Sequence, residues 1–247
     1  MRKYPSRTSF SALSEGSSSV TTMPDHQIVK EAKMKAVIFD LDGTLLDTIG
    51  DIADSMNAVL ARQGLPPHSV EKYKLYVGDG AANLVKRSVA GIEYAEETLM
   101  RLEAEYKAEY LKRQADKTMP YAGIPELLAA LAERGVKIAV LSNKPHVATL
   151  EVMAHFFPDI SFSALIGHRP GYPVKPDPAG ALEILEMLGL PPEDVLYVGD
   201  TGTDMQTAKA AGLKAVGALW GFRGKKELED NGADMIAEHP LDIISNL

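Results

Sequence analysis

Four short polar clusters stand out in this chain of 247 residues. The first is Asp40-Leu41-Asp42-Gly43-Thr44, with two carboxylates spaced two apart at the end of the apolar run Lys35–Asp40. Gly43 permits a tight turn and close backbone approach, and the N–H groups that follow can cradle a phosphate. The second cluster, Gly199-Asp200-Thr201-Gly202-Thr203-Asp204, again sets carboxylates after an apolar run. The third is Ser142-Asn143, where a hydroxyl can donate to a phosphoryl oxygen. In the fourth, Lys175-Pro176-Asp177-Pro178, the prolines hold the backbone extended and place an ammonium. Taken singly, each also has a plain structural account: an Asx turn, a helix cap or a surface turn. Together, Asp40, Asp42, Asp200 and Asp204 would concentrate negative charge on one rim. A hard cation offsets that, and carboxylates, carbonyls and waters suit Mg²⁺, which often bridges carboxylates to a substrate phosphate.

Positioning these groups is the task of an alternating pattern. Lys35–Asp40, Val136–Ser142 and Val195–Asp200 read as buried parallel strands, each ending in a polar residue; Lys214–Ala218 and Phe162–Ile166 are further candidates. Helical patterns lie between them. Ile124–Arg134 has Pro125 in its first turn and Gly135 just past its end, Pro178–Leu188 stops at Gly189, and Asp204–Ala211 stops at Gly212. Strand–helix alternation predicts an α/β fold, a doubly wound parallel sheet with helices on both faces. All four clusters then fall on the carboxyl edge, where ligands bind in open sheets. One stretch breaks the rule. Residues 49–119 read as helix throughout, over 52–63, 70–76, 81–89 and the long amphipathic 96–113, predicting a small helical cap inserted after the first strand. The expected division is therefore 34–48 with 120–247 as the core, 49–119 as the cap, and 1–33 as a leader or tag-like tail.

That tail is Ser-rich and has little apolar periodicity, so it is expected to be disordered; it lacks the apolar segment of a secretory signal. Arg2, Lys3 and Arg7 give it a faint transit-peptide character, but a leader ahead of a natural start at Met34 is the plainer expectation. A 45% apolar share supports a sizeable core, and no apolar run approaches the roughly 20 residues needed to span a bilayer. The net charge of −8 argues against nucleic acid as a partner. Cysteine is absent, which excludes disulfides, thiolate catalysis and Cys-bound zinc and fits a cytoplasmic location.

The ordered motifs resemble those of the haloacid dehalogenase superfamily: DxDGT at Asp40–Thr44, a Ser/Thr at Ser142, Lys-Pro at Lys175-Pro176 and GDxxxD from Gly199-Asp200 to Asp204. The resemblance spans Lys35 to Leu247. Within it, DLDGTLLDT at Asp40–Thr48, the cap turn Val77–Ala81, Tyr121-Ala122-Gly123 and Trp220–Arg223 look like the phosphoglycolate phosphatase branch. Two positions depart from that branch, Ala122 where Pro is frequent and Thr201 where Ser is common.

The resemblance implies a Rossmann-like core and a Mg²⁺-dependent phosphatase acting through an aspartyl-phosphate. It casts Asp40 as nucleophile and Asp42 as acid and base, with Ser142 and Lys175 completing the catalytic set. Asp40, Asp42 (through its backbone carbonyl), Asp200 and Asp204 become metal ligands, Asp204 probing the edge of that set from a second layer. Gly43, Thr44 and Asn143, together with the cap residues Gly78, Asp79 and Gly80, are the expected substrate contacts. Arg87, one turn after Asn83, is a candidate partner for a substrate carboxylate. His146 and His168 show no metal-ligand spacing and are read as structural. The implied partner is a small phosphorylated metabolite, best matched by 2-phosphoglycolate, with the chain a monomer or homodimer. A β-phosphoglucomutase-like mutase shares these motifs. A receiver-like signalling module shares the clustered aspartates but not the Asp40/Asp42 spacing or the cap.

Overall fold

The computed structural model describes residues 34–247, so the tail expected over 1–33 lies outside the described residues. In chain order the elements are β1 (Ala36–Phe39), β2 (Leu46–Asp47), α1 (Ile49–Arg62), α2 (Val70–Tyr76), α3 (Ala81–Ser88), α4 (Glu96–Arg113) and β3 (Met119–Pro120). They continue with α5 (Ile124–Glu133), β4 (Lys137–Pro145), α6 (His146–Phe156), β5 (Ala164–His168), α7 (Ala179–Leu188), β6 (Val195–Gly199), α8 (Gly202–Ala210), β7 (Lys214–Ala218), α9 (Lys225–Asp230) and β8 (Met235–Ala237). Six strands form one parallel sheet in the order β5-β4-β1-β6-β7-β8. The chain thus winds outward both ways from β1, as a doubly wound sheet requires.

The period of two explains why the strands read as unbroken apolar runs. Val37 and Phe39 pack into one layer with Leu127, Leu131, Val152 and Met153, under α5 and α6. Ala36 and Ile38 face the opposite layer, with Ile184, Leu185, Met205 and Leu228 of α7, α8 and α9. Both faces are covered, so no position of β1 meets water.

Some boundaries and elements differ from the sequence reading. The fifth strand lies at Ala164–His168, two residues later than 162–166. Strand β4 runs on through Ser142-Asn143-Lys144 to Pro145, three residues past the expected end at Ser142, and α6 starts directly after it at His146. Strand β8 is three residues long and half-buried at the sheet edge, too short for a period to show.

The cap helices share a core in which Met56 of α1, Tyr73 of α2 and Leu102 of α4 are fully buried. Its two connections run side by side as the antiparallel pair β2–β3, with Leu46 opposite Pro120 and Asp47 opposite Met119. Just inside, the buried Asp51 carboxylate accepts hydrogen bonds from the Lys117 and Thr118 amides and the Thr118 hydroxyl, at 2.7 to 3.1 Å. Charge-assisted bonds of this kind satisfy a carboxylate that burial would otherwise penalise. Among the described residues, no helix is long and apolar enough to cross a membrane.

Candidate active site

Asp40 follows β1 at the centre of the sheet, and its amide donates to the Val198 carbonyl of β6 at 2.9 Å, which fixes the strand end. Lys175 reaches it from the loop after β5, its Nζ 2.7 Å from Asp40 Oδ1 and 2.6 Å from Asp204 Oδ1. All three side chains are buried. The Lys175–Pro176 peptide bond is cis. Asp204 is saturated: Oδ1 also accepts from the Tyr197 hydroxyl at 3.2 Å, and Oδ2 accepts from the amide and hydroxyl of Thr201 at 3.1 and 2.7 Å. The last pair is the reciprocal cap of α8, so one residue both starts a helix and holds the lysine.

Asp200, fully buried, accepts from the Thr44 hydroxyl at 3.0 Å and the Phe222 amide at 2.7 Å. Two glycines make room for it. A Cβ on Gly43, whose φ is +96°, would collide with the Asp200 carboxylate. At Gly221 a Cβ would collide with Asp200 and the Gly43 carbonyl. The Trp220–Arg223 segment wraps the site: Trp220 donates to the Thr44 carbonyl at 2.9 Å, and Arg223 donates to the Val77 carbonyl of the cap at 2.9 Å.

Oxygens of Asp40, Asp200 and Asp204 lie within 4.8 Å of one another. Burial, reinforced by Asp204, pushes the Asp40 carboxyl up to about 7 against the opposing pull of Lys175. Burial, with Asp204 and Asp40, likewise holds Asp200 well above the carboxylate range. Burial disfavours the Lys175 ammonium, yet Asp204 and Asp40 outweigh it and keep its pKa well above the lysine range. A dry cluster of hard oxygen donors that resists its own ionisation fits a divalent cation such as Mg²⁺. Asp40 and Asp200 are the carboxylates with oxygen capacity to spare, whereas Asp204 is occupied as a support.

The Asp42 side chain lies outside this cluster, because both its oxygens accept from Lys144 Nζ, at 2.8 and 3.1 Å. Lys144 also donates to the Tyr110 hydroxyl of α4 at 2.6 Å, joining core to cap. Asp40, Asp42, Ser142, Asn143 and Lys144 floor a cavity of about 200 Å³, roofed by the cap residues Gly78, Gly80 and Ala81 and by the apolar faces of α3 and α4.

Other expected substrate contacts are spoken for. Thr44 is fully buried and serves Asp200. The Asn143 amide bridges the Gly78 carbonyl at 3.0 Å and both backbone groups of Lys175 at 2.8 and 3.1 Å. Asp79 sits off the cavity lining, its carboxylate taken by Arg87 and, at 2.7 Å, by the Thr203 hydroxyl. Arg87 donates to the Tyr76 carbonyl at 2.8 Å as well. His146 accepts from the Gly167 amide at 3.1 Å, a structural role. Sequence reasoning passed over Lys144 and Tyr110. The strand-end rule that found Ser142 points equally to Lys144 two residues on, while Tyr110 is hidden among the apolar stripe of α4.

Comparison with known proteins agrees with this geometry. Phosphoglycolate phosphatase 1 of Pseudomonas aeruginosa is 33% identical over 218 residues, covering 85% of this chain and 78% of that protein. At the same 33% identity, the N-acetylmuramic acid 6-phosphate phosphatase of P. aeruginosa aligns over 89% of this chain and 97% of its own. The crystal structure of a predicted phosphoglycolate phosphatase from Haemophilus somnus 129pt superposes with a TM-score of 0.80 at 29% identity, covering 86% of this chain and 97% of that one. With the family model for the haloacid dehalogenase-like hydrolases matching residues 37–218, this chain belongs to that family.

Proposed function

We propose that the protein is a Mg²⁺-dependent phosphatase that hydrolyses a small phosphate monoester through an aspartyl-phosphate on Asp40. The observation that carries this reading is the placement of Asp40: a buried carboxylate on a cavity floor, 2.7 Å from the Lys175 ammonium and clustered with Asp200. Bound at Asp40 and Asp200, Mg²⁺ would neutralise the charge of the phosphoryl oxygens.

The remaining chemistry falls to the chain. An Asp40 oxygen attacks phosphorus and the ester P–O bond breaks. Asp42, acting as general acid, gives a proton to the departing alkoxide. Water then attacks the acyl phosphate, Asp42 takes the proton, and phosphate leaves with Asp40 restored; splitting the displacement in two lowers the barrier of each part. Ser142 and Lys175 stabilise the equatorial oxygens, and such in-line positioning with charge stabilisation is the main resource of phosphoryl transfer.

For the ester itself, 2-phosphoglycolate is the first choice, supported by the names of relatives. Donors for its carboxylate are the amides at the start of α3, where Gly80 and Ala81 border the cavity, with Lys144, whose N–H groups go to Asp42 and Tyr110, supplying positive charge nearby. Arg87 is not one of them. The test is phosphate release from 2-phosphoglycolate with and without Mg²⁺, together with the Asp40→Asn variant. Expected are Mg²⁺-dependent turnover, a fall of more than about a thousandfold in Asp40→Asn, and acid-stable phosphate trapped on Asp40 by rapid quenching of the parent enzyme. Near-normal turnover in Asp40→Asn would refute the covalent route, and phosphate returned to a sugar instead of water would mark a mutase.

A further inference from the structure

The cavity has a second end. Beyond the catalytic floor its walls are Ile52 and Leu84 in the cap core, Tyr106 and Leu111 of α4, and Val147 and Ala148 at the start of α6. Ile52, Leu84, Tyr106 and Ala148 are buried, whereas Leu111 is 47% exposed and Val147 is 63% exposed. Apolar side chains lining a cavity offer a surface that an apolar group of a ligand can cover. The one cation on this wall, Lys107, is paired with Glu103 at 2.5 Å. Lys144, the other cation of the lining, lies at the catalytic end against Asp42. A glycolate leaving group, with a single methylene between ester oxygen and carboxylate, has nothing to place against this wall.

We infer that the wall between α4 and α6 is an apolar subsite, so that the site also takes phosphate esters whose leaving group carries a short alkyl or aryl group, and turns them over faster as that group lengthens. This rests on the phosphatase reading above and specifies the substrate class of the same site. Val147 and Leu111 are its specificity-determining residues. They come from core and cap respectively, so the subsite is complete when the cap is seated.

The experiment is a chain-length series. With Mg²⁺ present, kcat/KM is measured for ethyl, propyl, butyl and phenyl phosphate, with 2-phosphoglycolate as reference. Burying one further methylene is worth about a fourfold gain, so butyl phosphate should exceed ethyl phosphate by roughly 15-fold. In Val147→Asp and in Leu111→Asp, both at exposed positions that should fold normally, the butyl-to-ethyl ratio should fall to about one. Calorimetry with Asp40→Asn gives a readout free of turnover: butyl phosphate should bind more tightly than ethyl phosphate and with a more negative heat-capacity change. Turnover of all esters without dependence on chain length, or an unchanged ratio in both variants, overturns the subsite while the phosphatase reading stands. Failure of every ester to be hydrolysed overturns both.

Discussion

Two aspartates, one in the core and one in the cap, have nearly the same partners and different consequences. Asp204 is bonded to a lysine, a tyrosine and a threonine, and Asp79 to an arginine and a threonine. Asp204 is fully buried at the sheet edge, where its charge is set against two further buried carboxylates. Partial burial raises the Asp79 carboxyl, but bonds from Thr203 and Arg87 prevail and hold it below its usual range. The core pairing is thus one strand of a coupled network in a low dielectric, where removing one member strands the rest. In the cap, the pairing is a local latch that water can replace. The proposed nucleophile Asp40 shares the first environment, whereas Asp79 lies off the cavity lining.

The largest expected break in this contrast comes from Lys175→Met. It leaves Asp40 and Asp204 buried without their cation, a situation that typically costs about 3–5 kcal/mol. Chemical denaturation should show a loss of that order in the metal-free protein, with turnover lost as well. A change below about 1 kcal/mol would mean that the carboxylates are less coupled than their distances indicate.

A middle-sized effect concerns pH and metal. Because the Asp40 carboxyl is raised to about 7 in the folded protein without metal, the folded state holds a proton that the unfolded chain releases near the ordinary carboxylate range. Stability of the metal-free protein should therefore decline as pH rises from about 4 to about 7. Saturating Mg²⁺ should raise the thermal midpoint more at pH 8 than at pH 5. An equal rise at both values would detach the metal from Asp40.

The smallest effect belongs to the latch. Arg87→Gln removes a pair that is about a third exposed, and exposed pairs are worth roughly 0–1 kcal/mol. The thermal midpoint and kcat/KM for 2-phosphoglycolate should change little, within about threefold for the latter. A loss above tenfold would show that Arg87 leaves Asp79 to meet the substrate.

Legibility of the sequence follows the same division. Strand β1 and its terminal Asp40 could be read because burial on both faces makes a run wholly apolar and the polar residue after it conspicuous. Asp200 and Asp204 were found by the same signal, whereas Lys175 was found from its proline-bracketed segment and the family resemblance; the structure brings all three beside Asp40. The partner choices of Thr44 and Asn143 could not be read, since a threonine or asparagine near a phosphate site serves equally well as a donor to substrate or as a strut. Here Thr44 serves Asp200 and Asn143 serves Lys175. Lys144 was passed over because its meaning depends on Tyr110, thirty-four residues away on the other side of the cavity. Across the cap, helices were legible from their apolar stripes, but which stripe residues face a ligand and which face each other is a property of the assembled walls.

The paired β2 and β3 strands have a consequence for how such a molecule can be altered. The chain enters and leaves the cap at adjacent points, stitched together by Asp51 just inside them. Covalently, the helical segment after Ile49 is thus tied to the sheet at one doorway, and its other ties to the core are side-chain hydrogen bonds such as Lys144–Tyr110 and Arg223–Val77. A segment with its own core and its ends side by side can be exchanged for another of different length without rethreading a single strand. Evolution and protein engineering alike can then swap the upper wall of the reaction chamber while the machinery beneath it keeps its register.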